Sequence, residues 1–142
     1  MPYDEEIPPR GDLIEPPQEL DELARAVIGA AIEVHRQLGA GLPEESYEGA
    51  LDVEMTSRGI RFERQKHVEI IYKGVVVGVG RIDFLVGGKL DVEVKSVEAL
   101  LPIHRLQTLS YMRIVGQPLG LVINFNVALL KQGIRRIIAT ES

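Results

Sequence analysis

The stretch that most constrains this chain runs Arg81-Ile82-Asp83-Phe84-Leu85-Val86, then Gly87-Gly88, then Lys89-Leu90-Asp91-Val92-Glu93-Val94-Lys95. Apolar alternation on either side of a glycine pair predicts two strands folded back on each other through a tight turn. Strand side chains alternate, so Asp91, Glu93 and Lys95 share one face while Leu90, Val92 and Val94 share the other. Asp83 interrupts a strand that is otherwise apolar, a few pairs from the turn and within reach of that charged face. On these residues alone two readings stay open. One is a half-buried strand with a solvated polar face, its acids met by Lys95 or Arg81 in a plain salt bridge. The other is a cation site, because two close carboxylates repel and raise each other's pKa unless a cation compensates. Paired acids beside an amine are what a hydrolase needs to bind Mg²⁺ and place a water against a phosphodiester.

The surrounding pattern sets the frame. Gln18 to Leu38 carries a broad apolar face at helical spacing and ends at Gly39-Ala40-Gly41. Pro43 suits the first turn of a second helix, Glu44 to Ser57, whose early glutamates complement the helix dipole. Strands are expected at Phe62–Tyr72, Val75–Val86 and Lys89–Val97, with turns at Lys73-Gly74 and Gly87-Gly88. A third helix follows at Pro102–Val115, again with proline in its first turn. Leu119–Phe125 is nearly all apolar, as a strand buried on both faces should be, and Ile134–Ala139 is a last short strand. The order α-α-β-β-β-α-β-β predicts an α/β fold: a mixed sheet with helices packed on it.

At 142 residues the chain makes one domain, expected over 18–142. Residues 1–17, acidic and proline-rich, are expected to form a disordered or loosely docked tail. There is no cysteine, which excludes disulfides, zinc–thiolate and iron–sulfur centres and cysteine nucleophiles. The acidic N-terminus has no apolar core of the kind a secretory signal needs, and no apolar run approaches a membrane span. A cytoplasmic location is the resulting expectation. The net charge of −5 is unevenly spread: residues 1–22 hold eight acids and one base, leaving 13 acids and 15 bases beyond them. The folded part is therefore near neutral, which permits nucleic acid as a partner without demanding it. No Gly-x-Ser-x-Gly, phosphate loop or dinucleotide fingerprint is present, so a nucleotide cofactor is not expected.

Three further sets of residues carry chemistry or packing. Gln107 and Tyr111 are four apart on the third helix and face the same way, with His104 one turn earlier. Glu44, Tyr47, Glu48 and Leu51 form one stripe on the second helix. His35 lies on the apolar side of the first, where a histidine is more often a core residue than a ligand.

Taken together these residues resemble the GxxExxY protein family, a RecB-like branch of the PD-(D/E)xK nuclease-like superfamily. The name-giving motif stands here as Gly41-Leu42-Pro43-Glu44-Glu45-Ser46-Tyr47, preceded by Ala31-Ile32-Glu33-Val34-His35-Arg36-Gln37-Leu38-Gly39. Ile82-Asp83 and Val92-Glu93-Val94-Lys95 match the superfamily's acid and Glu-x-Lys. Gln107-Thr108-Leu109-Ser110-Tyr111 resembles the Gln-x-x-x-Tyr element of RecB-like nucleases, and Gly120–Phe125 the late strand. The resemblance covers residues 20–138 in order. It implies a restriction-endonuclease-like α-β-β-β-α-β core with an extra N-terminal helix, and a Mg²⁺- or Mn²⁺-dependent nuclease acting on DNA. It further implies that Asp83, Glu93 and the Val94 carbonyl hold the metal, with Glu44 joining or supporting them. Lys95 would orient water and offset charge, and Gln107 and Tyr111 would order that shell. A homodimer would match small nucleases of this kind. The alternative is a catalytically weak or inactive nucleic-acid-binding or assembly module on the same fold.

Overall fold

The computed structural model describes residues 4–6 and 18–139. The elements are β1 (Asp4–Glu6), α1 (Gln18–Leu38), α2 (Glu44–Ser57), β2 (Phe62–Tyr72), β3 (Val75–Val86), β4 (Leu90–Lys95), α3 (Pro102–Val115), β5 (Leu119–Asn124), a short 3-10 turn (Leu130–Gly133) and β6 (Ile134–Ile138). They build the mixed α/β architecture that the sequence pattern implies. Apart from Asp4–Glu6, which pair parallel with β6, the tail expected over residues 1–17 lies outside the described residues. Among the described residues no helix is long and apolar enough to cross a membrane.

One sheet runs β1-β6-β5-β4-β3-β2. β2, β3 and β4 form an antiparallel meander, β4 and β5 pair parallel across the α3 crossover, and β6 returns antiparallel to β5. α1 buries Leu20, Ala24, Val27, Ala31 and Val34, a three-to-four-residue repeat that makes one continuous face. With Tyr47, Leu51 and Met55 of α2 it closes the main core over Phe84, Val92, Val94, Leu121 and Ile123. Each of the larger of these, Val, Leu, Ile, Met or Phe, contributes about 1.5–3 kcal/mol by leaving water.

α3 covers the opposite face with Leu109 and Met112 against Val122 and Ile137. It can sit close because β5 carries Gly120: a Cβ there would lie 2.7 Å from Met112 Sδ and 3.1 Å from Thr108 Cγ2. The sheet is thus sandwiched, and β4 at its centre is buried from Leu90 through Val94. That strand is shorter than the expected Lys89–Val97. Lys89 N–H closes the turn on the Val86 carbonyl, and the Asn124 amide takes both the N–H and the C=O of Val97. A side chain replaces the ladder there, which strand alternation does not reveal.

Candidate active site

The site forms where two strands part company. β3 and β4 are paired only from Phe84↔Val92 to Val86↔Leu90. One residue further on, Asp83 and Glu93 would face each other, and the ladder ends instead. The Val94 N–H donates to Asp83 Oδ2 at 2.8 Å, so a carboxylate stands where a strand carbonyl would otherwise be. In return the Asp83 backbone N–H acts on the Glu93 carboxylate, holding its pKa down. The two acids thus stand together at the mouth of a cleft of about 570 Å³.

All six side chains singled out in the sequence line that cleft: Glu44, Asp83, Glu93, Lys95, Gln107 and Tyr111. Each arrives from a different local cause. Glu93 and Lys95 follow from the alternation of β4. Gln107 and Tyr111 come from one face of α3, and the Tyr111 ring lies so near β3 that a Cβ on Gly80 would meet its Cε1 at 2.4 Å. Glu44 opens α2 at the rim of the cleft and is exposed. The Gly41–Tyr47 segment is locked by Tyr47, whose hydroxyl donates to the Gly39 carbonyl and accepts from Leu42 N–H. Ser96, one residue beyond Lys95, donates to the Leu42 carbonyl at 2.7 Å and ties this loop to the end of β4.

His35 does not join them. Its Nε2 lies 2.8 Å from the Val127 carbonyl, beside Phe125 and away from the cleft. Sequence reasoning passed over His67, Val79, Arg81 and Thr108 as site residues, and these also line the wall. It also chose Glu44 from the α2 stripe and passed over Glu48. Glu48 is 5% exposed, and it raises the Asp83 pKa more than Glu44 does. Its position one turn deeper on the same stripe was the available signal.

The electrostatics are those of crowded, dry acids. Burial pushes Asp83 upward, with Glu48 and Glu44 adding to the rise and the Val94 N–H and Lys95 opposing it. Burial also lifts Glu93 well above the usual carboxylate range, helped by Asp91 and Asp83. Asp91, wholly buried behind Glu93, is raised to about 6, again chiefly by burial. Neither Asp91 oxygen, nor Glu93 Oε2, meets a donor within hydrogen-bonding distance. The contact left to them is carboxyl to carboxyl, which attracts only if a proton is shared.

Buried acids that lack donors are a natural place for a cation. Among the described residues no three histidine, aspartate or glutamate side chains converge as a ready-made cage. Mg²⁺ does not require one, since it keeps several waters and is commonly held by one or two carboxylates plus substrate phosphates. Asp83 and Glu93, with the Val94 carbonyl between Glu93 and Lys95, therefore fit a hard divalent ion. Lys95 is half-buried and forms no ion pair among the described residues; its charge acts on Asp83 through space, without a contact.

A mixed sheet between helical layers, with Asp, Glu-x-Lys and a helix-borne Gln and Tyr around one cleft, defines the nuclease-like class of α/β domains. The family model described as the PD-(D/E)XK nuclease superfamily matches residues 21–137. The chain belongs to that superfamily, and its architecture is the restriction-endonuclease-like one. No curated protein matches the chain, and no solved structure does.

Proposed function

We propose that this protein is a divalent-metal-dependent nuclease that hydrolyses phosphodiester bonds in DNA, with Mg²⁺ or Mn²⁺ held by Asp83, Glu93 and the Val94 carbonyl. The observation that carries the reading is the break in the β3–β4 ladder. It sets two raised carboxylates side by side, leaves one of Glu93's oxygens without a donor, and puts an unpaired lysine two residues on. Within the superfamily, the Gly41–Tyr47 segment and the Gln107/Tyr111 pair support a place near the GxxExxY and RecB-like groups.

When bound, the metal would supply Lewis acidity and lower the pKa of a water. The chain's own residues do the rest. Lys95 holds the attacking water by hydrogen bonding and offsets the negative charge that builds on the phosphoryl oxygens. Gln107 orders the water and the lysine from α3, and Tyr111 supports the scissile phosphate. Arg81 and His67 give the opposite wall cationic and donor groups suited to the flanking phosphates. From the rim, Glu44 would join or support the residues that hold the metal. The sandwiching helices keep the acids' inner side dry, which strengthens each of these contacts.

The test is metal-dependent cleavage of single-stranded, duplex and branched DNA by purified protein, with Asp83→Ala and Lys95→Ala beside it. Cleavage that needs Mg²⁺ or Mn²⁺ and is lost in both variants supports the reading. Metal-independent DNA binding with no cleavage, unaffected by either substitution, would instead identify a binding or assembly module.

A further inference from the structure

Besides a register shift at Ile70/Ile71, the β2–β3 hairpin breaks its alternation at a rung beside the cleft. Its Cα partners run Arg64↔Phe84 and then Lys66↔Ile82, leaving Gln65 and Asp83 outside the ladder. Phe84 faces the main core, edge-on to Phe62 at 5.3 Å. Ile82, two residues earlier, packs under α3 with Val68, Leu85 and Tyr111. Residues two apart on a regular strand share a face, so the hairpin rolls over between them, and Asp83 sits at the roll.

Gln65 is the residue that makes the roll. Its φ of 54° lies in the left-handed region, which costs a non-glycine residue about 1–2 kcal/mol. Such a conformation persists only where its surroundings hold it. Here Gln65 Nε2 donates to Glu48 Oε1 at 3.3 Å, and Arg64 Nε donates to the same oxygen at 3.2 Å. Glu48 is buried on α2, so that helix grips β2 at this rung through the Glu48 carboxylate, while Asp52 of the same helix accepts from Arg64 Nη1 at 3.1 Å.

We propose that Gln65 is a positioning residue for Asp83, with Glu48 and Arg64 as its anchor; this rests on the metal site proposed above. The left-handed turn at Gln65 takes Asp83 out of the ladder with β2. Its carboxylate then accepts from the Val94 N–H on β4, beside Glu93. A regular strand at this rung would hold Asp83 in the ladder with β2, without that hold on the strand of the second acid.

The test is a Mn²⁺ titration of the full chain, read by calorimetry and by the electron-spin signal of free Mn²⁺. It compares wild type, Asp83→Asn, Gln65→Gly and Gln65→Val, each shown folded by circular dichroism. Glycine adopts positive φ freely, whereas a β-branched residue resists it. Gln65→Val is expected to weaken Mn²⁺ about ten- to a hundredfold, as lost support of a metal ligand does. Gln65→Gly is expected to stay within about threefold because the backbone turn survives. Should Gln65→Val fail to fold, Gln65→Ala is measured instead, with a smaller loss in the same direction. A merely structural Gln65 would change thermal stability but leave the affinity of the folded protein alone. If Asp83→Asn weakens Mn²⁺ while Gln65→Val matches wild type, the positioning role is wrong and the metal site stands. If wild type shows no saturable site, or Asp83→Asn binds equally well, the metal site is wrong and the positioning role falls with it.

Discussion

The two halves of the β2–β3 hairpin obey different rules, and the Gln65/Asp83 rung divides them. On the open end, toward Gly87, Phe84 and Val86 are fully buried under α1 and α2. On the far side the strands run out beyond β4 as an arm, where Ile71, Tyr72, Val75, Val77 and Val79 are each 60–63% exposed. Both halves carry apolar residues along their strands. What separates them is coverage: one half lies under α1 and α2, while the other meets only α3, at Val68 and Ile82, and lends a wall to the cleft through His67, Val79, Gly80 and Arg81. Stability is therefore concentrated on one side of the site, and shape on the other.

That contrast can be broken by substitution, and the largest effect is expected in the covered half. Phe84→Ala should lower unfolding free energy by about 3–5 kcal/mol in chemical denaturation, as aromatic truncations in closed cores do. Next comes the seam between arm and helix. Gly80→Ala drives a methyl into the Tyr111 ring, and overpacking of this kind costs about 1–3 kcal/mol. It should also displace Tyr111 from the cleft, so cleavage should fall further than stability alone explains. A Gly80→Ala protein with wild-type melting and wild-type cleavage would show that the close approach is unimportant.

The acids give a smaller, pH-dependent effect. Asp91 is raised to about 6 from a usual value of 3.8, and Glu93 and Asp83 are raised too. An acid whose pKa is raised on folding binds more protons folded than unfolded, so stability falls as pH rises between the two values. Metal-free protein should thus be most stable near pH 4 and lose stability as pH climbs through 6. The slope contributed by one such group is about 1 kcal/mol per pH unit. Asp91→Asn should flatten that profile; an unchanged slope would show that Asp91 does not titrate in the folded range. The smallest effect belongs to the arm, where Val77→Thr should shift unfolding free energy by no more than about 0.5 kcal/mol.

Much of this arrangement is legible in the sequence. Strong periodicity places the helices and strands from Gln18 onward within a few positions, and the Gly87-Gly88 pair fixes the antiparallel partner of β3; β1, only three residues long, carries no such periodicity. Alternation puts Glu93 and Lys95 on one face of β4 and the i, i+4 rule pairs Gln107 with Tyr111, but it is the family resemblance that joins these with Glu44 and Asp83 as one candidate site. What stayed hidden depends on breaks in regularity. Gln65 looks like any polar strand residue, and nothing local marks a left-handed backbone there. Glu48 was seen in its stripe, but its partners Arg64 and Gln65 are 16 and 17 residues away in sequence. Asp91 reads as part of a solvated face, and only the helix packed above Gly120 makes it buried. Local pattern reports the elements; it does not report what covers them.

The central claim is that Asp83 and Glu93 form one cation site. Thermal unfolding at neutral pH, with and without saturating Mn²⁺, tests it most directly, using wild type beside Asp83→Asn and Glu93→Gln. An ion that binds only the folded protein stabilises it by about 3 kcal/mol at a hundred times its Kd. The expected result is a clear rise in the wild-type Tm that is absent from both variants. No shift in wild type, or an equal shift in all three proteins, would contradict the site.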